Sequence, residues 1–117
     1  MNRSAELQER AYRYSGDIIK LVKENGSNYV DVVLGKQLVR AATSIGANIV
    51  EAQSSLSTKG FTNSYRIAMK SANETVYWLR LLQDSNDVGI KEVTSLVSEG
   101  EQFAKILASI IIKLRNK

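Results

Sequence analysis

The sequence contains no cysteine and no histidine. Without cysteine the chain can form no disulfide and has no thiol nucleophile, and without histidine it lacks the most common general base and metal ligand. A di-iron bundle with Glu-x-x-His ligands and a helical-bundle nuclease that pairs an arginine with a histidine are both excluded. We therefore expect a protein that is not an enzyme and that holds no metal or cofactor.

Proline is also absent, and 44% of the 117 residues are hydrophobic, which is typical of a helical domain. The chain is long enough for one domain with a core, and we treat residues 1–117 as a single unit. The longest apolar run, 106–114, is interrupted by Ser109 and Lys113 and is too short for a membrane span. The first ten residues are charged rather than signal-like, so a cytoplasmic location without a membrane partner is expected.

Glycine-rich phosphate loops are missing, because Gly46 and Gly60 each stand alone in the sequence. The net charge is +4, with 16 basic and 12 acidic residues. This balance is compatible with an anionic partner such as nucleic acid and does not require one.

Apolar residues recur at helical spacing in four segments separated by short turns, which predicts an all-α, antiparallel up-down-up-down four-helix bundle. The valines near position 32 could suggest a strand, but an isolated short strand would have no partner. Asp31 is the predicted N-cap of the second helix and Ser57–Thr58 that of the third. The first predicted helix covers residues 3–25. The second has a ragged entry at 27–34 and runs to about residue 56. The third covers about 59–85, and the last follows a turn at 86–89.

The second helix is the segment around which the prediction is organised. Between Gln37 and Ala52 its only charged residues are Arg40 and Glu51. A helix on the outside of a small bundle normally keeps about half of its circumference for water. We therefore expect its second face to contact another copy of the chain. That face carries small and β-branched residues beside the main apolar stripe: Val39, Thr43, Gly46 and Val50.

The inner stripe of the third helix is predicted to run from Phe61 through Tyr65 to Leu79, with Ile67, Trp78 and Leu81 widening it. On the opposite side a basic strip recurs at spacings of four, three, four and three, and its members suit phosphate contact and base stacking. The alternative is a solvated helix face. The strip consists of Arg66, Lys70, Asn73, Tyr77 and Arg80.

The first helix could add Arg10, Arg13 and Lys20 to such a surface. Its charges alternate in sign, however, and a solvated face with pairs such as Glu6 with Arg10 is the plainer interpretation.

A second group of residues is predicted to form a hydrogen-bonded network that fixes helix register and subunit pairing, with Arg40 facing Glu74 or Glu51. Charges in apolar surroundings need such partners. The more specific alternative is an acid–base site formed by the paired carboxylates of Glu51 and Glu74, but the neighbouring residues provide no nucleophile for it. The network and subunit residues are Arg40, Gly46, Asn48, Glu51, Glu74 and Trp78.

These segments resemble the bacterial four-helix-bundle proteins encoded within intervening sequences of large-subunit ribosomal RNA genes, once labelled ribosomal proteins. The resemblance is carried by residues 37–52, QLVRAATSIGANIVEA, by Phe61, by residues 67–74, IAMKSANE, and by Trp78–Leu79. It implies a left-handed bundle that assembles into a ring-like homopentamer and has no known enzymatic activity.

A second likeness, of fold and assembly, is to the accessory proteins of diversity-generating retroelements, which are basic pentameric barrels that bind nucleic acid and a reverse transcriptase. The leading hypothesis is thus a homo-oligomer that binds RNA or DNA through the basic strips of its third and first helices. The rival is a ring that acts as a scaffold for a protein partner without binding nucleic acid.

Overall fold

The computed structural model describes residues 2–25, 28–85 and 90–116, and within these ranges it contains four α-helices and no β-strand. The predicted all-α bundle is confirmed. The molecule measures 47 × 24 × 20 Å, so the helices run side by side along its length. The helices are α1 (Arg3–Asn25), α2 (Tyr29–Ala52), α3 (Thr58–Ser85) and α4 (Ile90–Arg115).

The core is a continuous apolar cluster to which all four helices contribute. The aromatic rings of Tyr14 on α1 and Phe103 on α4 lie 5.4 Å apart at its centre. The Tyr14 hydroxyl donates a hydrogen bond of 2.7 Å to the carbonyl of Leu96, which satisfies the buried phenol. The largest fully buried side chains are Tyr14, Ile18, Leu38, Ile45, Ile49, Thr75, Leu79, Val93, Phe103 and Leu107.

The helix boundaries differ from the sequence prediction at both ends of α2. Asn28, and not Asp31, is the N-cap, because its side chain accepts a 2.9 Å hydrogen bond from the Asp31 amide. The helix ends at Ala52 rather than near Leu56, and Leu56 is fully exposed in the connection to α3. At α3 the prediction holds, because Ser57 Oγ accepts from the Gly60 amide. Gly26 and the predicted turn at 86–89 lie outside the described residues.

The inner face of α3 is rotated relative to the prediction. Ser71 and Thr75 are buried, whereas Ile67 and Leu81 are 43% and 37% exposed. Hydroxyls can occupy the buried positions because each finds a partner: Thr75 Oγ1 donates to the Ser71 carbonyl, and Ser71 donates to Ser44 on α2. The predicted widening of the apolar stripe by Ile67 and Leu81 is therefore wrong.

No helix in the described part of the chain combines the length and hydrophobicity needed to cross a bilayer.

Candidate functional site

The basic strip of α3 lies on the outside of the bundle. Arg66, Lys70, Asn73 and Arg80 are exposed, and Tyr77 is 58% exposed. Arg66 and Arg80 are fourteen residues apart, so the strip is about 21 Å long at the rise of an α-helix. The Tyr77 ring packs edge-on against Trp78, with centroids 5.2 Å apart, which supports an otherwise exposed aromatic side chain.

Two cations of the strip, Arg66 and Lys70, form no ion pair with any described residue. Within the described residues no carboxylate lies within 4.0 Å of Arg66 or Lys70. Arg80 is 3.8 Å from Glu101 on α4, a long contact between exposed groups that contributes little to stability. The charge of Arg66 and Lys70 is therefore available to an external anion.

The cations of α1 are placed differently. Arg10 does not pair with Glu6: its Nε lies 3.2 Å from Glu99, its Nη2 donates to Gln102 at 2.7 Å, and its guanidinium lies 4.9 Å from the Phe103 ring centroid. Because all three partners belong to α4, Arg10 joins the two helices. Its side chain is partly exposed, but its charge is engaged by the neighbouring helix.

Arg13 and Lys20 also have acidic surroundings. Arg13 Nε lies 3.2 Å from Glu9, one turn earlier on α1. Lys20 lines a cleft between α1 and α4 that also contains Asp17 and Glu24. The three predicted cations of α1 are thus interspersed with carboxylates, and they do not continue the unpaired strip of α3.

The predicted network forms in part. Arg40 on α2 is in contact with Glu74 on α3, and the same carboxylate oxygen accepts a 3.1 Å hydrogen bond from Trp78 Nε1. Gln37 Oε1 accepts a second hydrogen bond from the Arg40 guanidinium. These contacts tie α2 to α3 within one chain. They give Glu74 a cation and an indole donor, an arrangement that suits a structural carboxylate better than a general base.

Asn48 and Glu51 lie apart from that cluster. Asn48 Nδ2 donates to Ser44, whose hydroxyl accepts from Ser71, so Asn48 belongs to a separate set of hydrogen bonds between α2 and α3. Glu51 is exposed, and it is eleven residues from Arg40, about 16 Å along the helix. The structure therefore does not bring Glu51 and Glu74 together into a carboxylate pair.

Gly46 faces α1 of the same chain. A Cβ built on Gly46 would lie 3.3 Å from the Cβ of Ala11, so the absence of a side chain lets α1 and α2 approach closely. Gly35 has the same relation to Val22, one of whose methyl groups would be 2.8 Å from the added atom. The first effect of a larger residue at either position would be to separate α1 from α2.

This close approach leaves a groove on the outer surface between the two helices, which we call the α1–α2 groove. It encloses about 620 Å³, and none of its lining residues is charged. Tyr12 and Val50 form its walls and are 78% and 53% exposed. The remaining lining residues are Gln8, Ser15, Gly16, Ile19, Thr43, Gly46 and Ala47.

A second, partly exposed apolar surface, which we call the α3 ridge, consists of the exposed Ile67 and Leu81 and of Trp78, which is half-buried and also packs against the core. With Glu74 between them these residues follow spacings of seven, four and three, so they share one stripe of α3. The sequence analysis placed them toward the core. Trp78 does pack against the core, whereas the rotation of α3, with Ser71 and Thr75 buried, turns Ile67 and Leu81 outward.

Comparison with known proteins agrees with this architecture. A crystal structure of a protein of unknown function from the S23 ribosomal protein family of Bacteroides thetaiotaomicron is 34% identical, with a TM-score of 0.86. The match covers 94% of this chain and 98% of that one. No protein of curated function matches the chain. The family model described as 23S rRNA-intervening sequence protein matches residues 3–109, and the chain therefore belongs to the 23S rRNA-intervening sequence protein family.

Proposed function

We propose that this protein is a non-enzymatic homo-oligomer that binds nucleic acid through the basic strip of α3. The observation that carries the proposal is the exposure of Arg66 and Lys70 without any carboxylate within ion-pair distance among the described residues. Tyr77 and Asn73 between the cations add a ring for base stacking and an amide for hydrogen bonding. The family resemblance suggests a pentamer.

Self-association is supported by the outer surface of α2. The α1–α2 groove has no charged lining residue, although it lies on the outside of the bundle. Globular proteins rarely leave a contiguous apolar surface exposed, and where they do it usually marks an interaction site. Repetition of the strip around an oligomer would multiply the number of phosphates that one assembly contacts, which turns a modest strip into an effective one.

Fluorescence anisotropy with a labelled, structured RNA tests the proposal. Phosphate contacts release counterions, so affinity should fall by at least about tenfold between about 50 and 300 mM salt. Changing Arg66, Lys70 and Arg80 to glutamate should abolish binding. Changing Lys20, Lys91 and Lys113 to glutamate alters the net charge equally at exposed positions on α1 and α4, outside the strip, and should weaken binding far less. Equal losses in the two triple variants, or no binding by the unmodified protein, would contradict the proposal.

A protein-interaction scaffold is the second candidate, and the exposed ring of Tyr77 favours it. Exposed aromatic side chains are enriched at protein–protein interfaces, where they contribute apolar contacts. The variants above separate the two functions, because a protein partner held by apolar contacts should still bind after Arg66, Lys70 and Arg80 are replaced. Binding to RNA should then be absent in both the unmodified and the altered protein.

A further inference from the structure

We infer that the α3 ridge of one copy packs into the α1–α2 groove of the next copy, head to tail. The inference rests on the proposed homo-oligomer and names the two surfaces through which its subunits pair. It is carried by the presence, on one chain, of two exposed apolar surfaces with opposite shapes.

The α1–α2 groove is the concave member. Its floor contains small residues, among them Gly46, and an added Cβ on Gly16 would meet nothing within 4 Å. Its walls carry the larger side chains of Tyr12 and Val50. Two copies that paired groove to groove would leave a gap at the centre of the contact, because both surfaces are concave there.

The α3 ridge is the convex member. Ile67 and Leu81 project from the helix with 43% and 37% of their surface exposed, and Trp78 lies between them, half-buried. Large side chains in one row on a helix fit between the rows of a neighbouring helix pair. A foreign helix seated in the groove would leave this ridge exposed, whereas a second copy covers both surfaces with one kind of contact.

Length and charge also match. A second hollow lies farther along the same two helices, between Val22 and Val32, and from Val50 to Val32 the two hollows together extend over eighteen residues of α2, about 27 Å. The ridge from Ile67 to Leu81 extends over about 21 Å. This second hollow is lined by two unpaired lysines, Lys23 and Lys36, by Arg40, which is paired with Glu74, and by no acid. On α3 the exposed carboxylate of Asp84 lies three residues after Leu81, at the border between the ridge and the basic strip.

The placement of the two surfaces favours a closed ring over a filament. Both adjoin α2, so they lie on neighbouring sides of the bundle, which face about 90° apart. Head-to-tail contacts close into a ring of four copies when the two surfaces of one copy face directions about 90° apart. A ring of five requires about 108°. In such a ring the basic strip of α3, which lies beside the ridge on the side nearer α4, remains uncovered.

The test uses two variants that each destroy one surface. The groove variant carries Tyr12→Glu and Val50→Glu, and the ridge variant carries Ile67→Glu and Leu81→Glu. Glutamate in both surfaces prevents the altered groove from attracting the altered ridge. The control is Ile112→Glu, a comparably exposed apolar position on the outer side of α4. Circular dichroism establishes that each variant remains helical before its mass is measured by light scattering.

Each variant alone should be monomeric, and an equimolar mixture should form a heterodimer of about twice the 13.0 kDa of one chain. The intact groove of one partner can then accept the intact ridge of the other, and no further contact can form. The control should keep the mass of the unmodified oligomer. A mixture that stays monomeric while the unmodified protein assembles would overturn the head-to-tail pairing alone. An unmodified protein that is monomeric would overturn both this inference and the proposed oligomer.

Cross-linking gives a second measurement that does not depend on the glutamate variants folding. The chain has no cysteine, so Val50→Cys and Ile67→Cys each introduce the only thiol of their chain. With a bismaleimide of moderate length, a mixture of the two single variants should yield a covalent dimer, and each variant alone should yield little. Efficient dimers of Val50→Cys alone would show that groove meets groove, and would overturn the inference.

Discussion

The outer surfaces of α2 and α4 differ, although their inner surfaces are alike. Both helices bury isoleucine, leucine or phenylalanine in the same core. Outward, α4 presents mainly hydroxyl, amide and charged groups at Ser98, Gln102 and Lys105, whereas α2 exposes Val32 and Val50. A polar outer face is typical of a solvated helix, whereas exposed apolar residues on a second face are typical of an interaction surface. The bundle therefore has a polar outer surface on α4 and a more apolar one on α2.

The contacts of α1 show the same difference. Toward α4 it uses Arg10 and the Tyr14 hydroxyl, which bind polar groups. Toward α2 it uses Ala11 and Val22, which lie against the glycines of that helix. The α1–α4 contact thus depends on charge and hydrogen bonding, and the α1–α2 contact on close packing of small residues. The following predictions test this distinction.

The largest expected effect is a difference in stability between a substitution on the inner face of α2 and one on its outer face. Ile45→Ala removes a fully buried side chain and should lower the free energy of unfolding by about 2–5 kcal/mol. Val50→Ala, on the outer face, should change it by about 0.5 kcal/mol or less in dilute solution. Urea denaturation over a range of protein concentrations measures both. Equal losses in dilute solution would contradict the assignment of Val50 to an open surface.

A smaller effect is expected where α4 meets its neighbours. A Cβ on Gly100 would lie 2.8 Å from both the Tyr14 hydroxyl and a Val76 methyl group, so Gly100→Ala must displace packed atoms. We expect a loss of about 1–3 kcal/mol, read as a lower melting temperature. Gly16→Ala is the matched control: with open space around its Cβ it should stabilise the dilute protein by about 0.5–1 kcal/mol through helix propensity. Similar results for the two substitutions would refute this difference in packing.

Tyr14→Phe tests the polar contact between α1 and α4. Loss of the buried hydrogen bond should cost about 1 kcal/mol at neutral pH. Burial, followed by the charge of Glu99, raises the pKa of the Tyr14 phenol above its usual value of 10.0. The folded state therefore holds this proton more tightly than the unfolded state does. Its contribution is complete below about pH 10 and declines above it, by up to about 1.4 kcal/mol per pH unit.

In the phenylalanine variant this part of the alkaline decline should disappear. Thermal melts between pH 9 and pH 11 measure it, and lysines that titrate in the same range act equally in both proteins. An unchanged slope in Tyr14→Phe would show that the phenol does not contribute.

The smallest effect concerns the arginines. Arg10→Gln should lower stability by about 1 kcal/mol or less, because it removes a partly exposed ion pair and the contact with the Phe103 ring. Arg66→Gln should leave stability unchanged and weaken RNA binding instead. Chemical denaturation should show the larger loss of stability in Arg10→Gln, and anisotropy should show the larger loss of RNA binding in Arg66→Gln. Reversed orders would assign the binding surface to α1.

The sequence predicted the helices well because each has an apolar row at regular spacing and turn-forming residues at its ends. It also indicated that Arg40 could face Glu74, since each charge lies beside apolar residues and needs a partner. The end of α2 was misplaced because Leu56 continues the apolar row by spacing alone. Nothing local reveals that the helix has already ended at Ala52.

The remaining differences arise from the rotation of each helix about its own axis. Ser71 and Thr75 have the residue types of a surface, yet their hydrogen bonds allow burial and turn Ile67 and Leu81 outward. The same geometry decides that Arg10 meets Glu99, eighty-nine residues away. Such partners cannot be read from spacing within one helix, because they depend on how neighbouring helices are rotated and shifted relative to one another.

Trp78 is the single tryptophan of the chain, and it stands in the middle of the α3 ridge with its indole nitrogen bonded to Glu74. When excitation is restricted to wavelengths that tyrosine does not absorb, the fluorescence of the unmodified protein therefore originates at one known, half-buried position on α3. If that point is covered by a neighbouring subunit, dilution should shift the emission to longer wavelength as the indole becomes hydrated. The native chain thus contains its own optical reporter of association, with no dye attached.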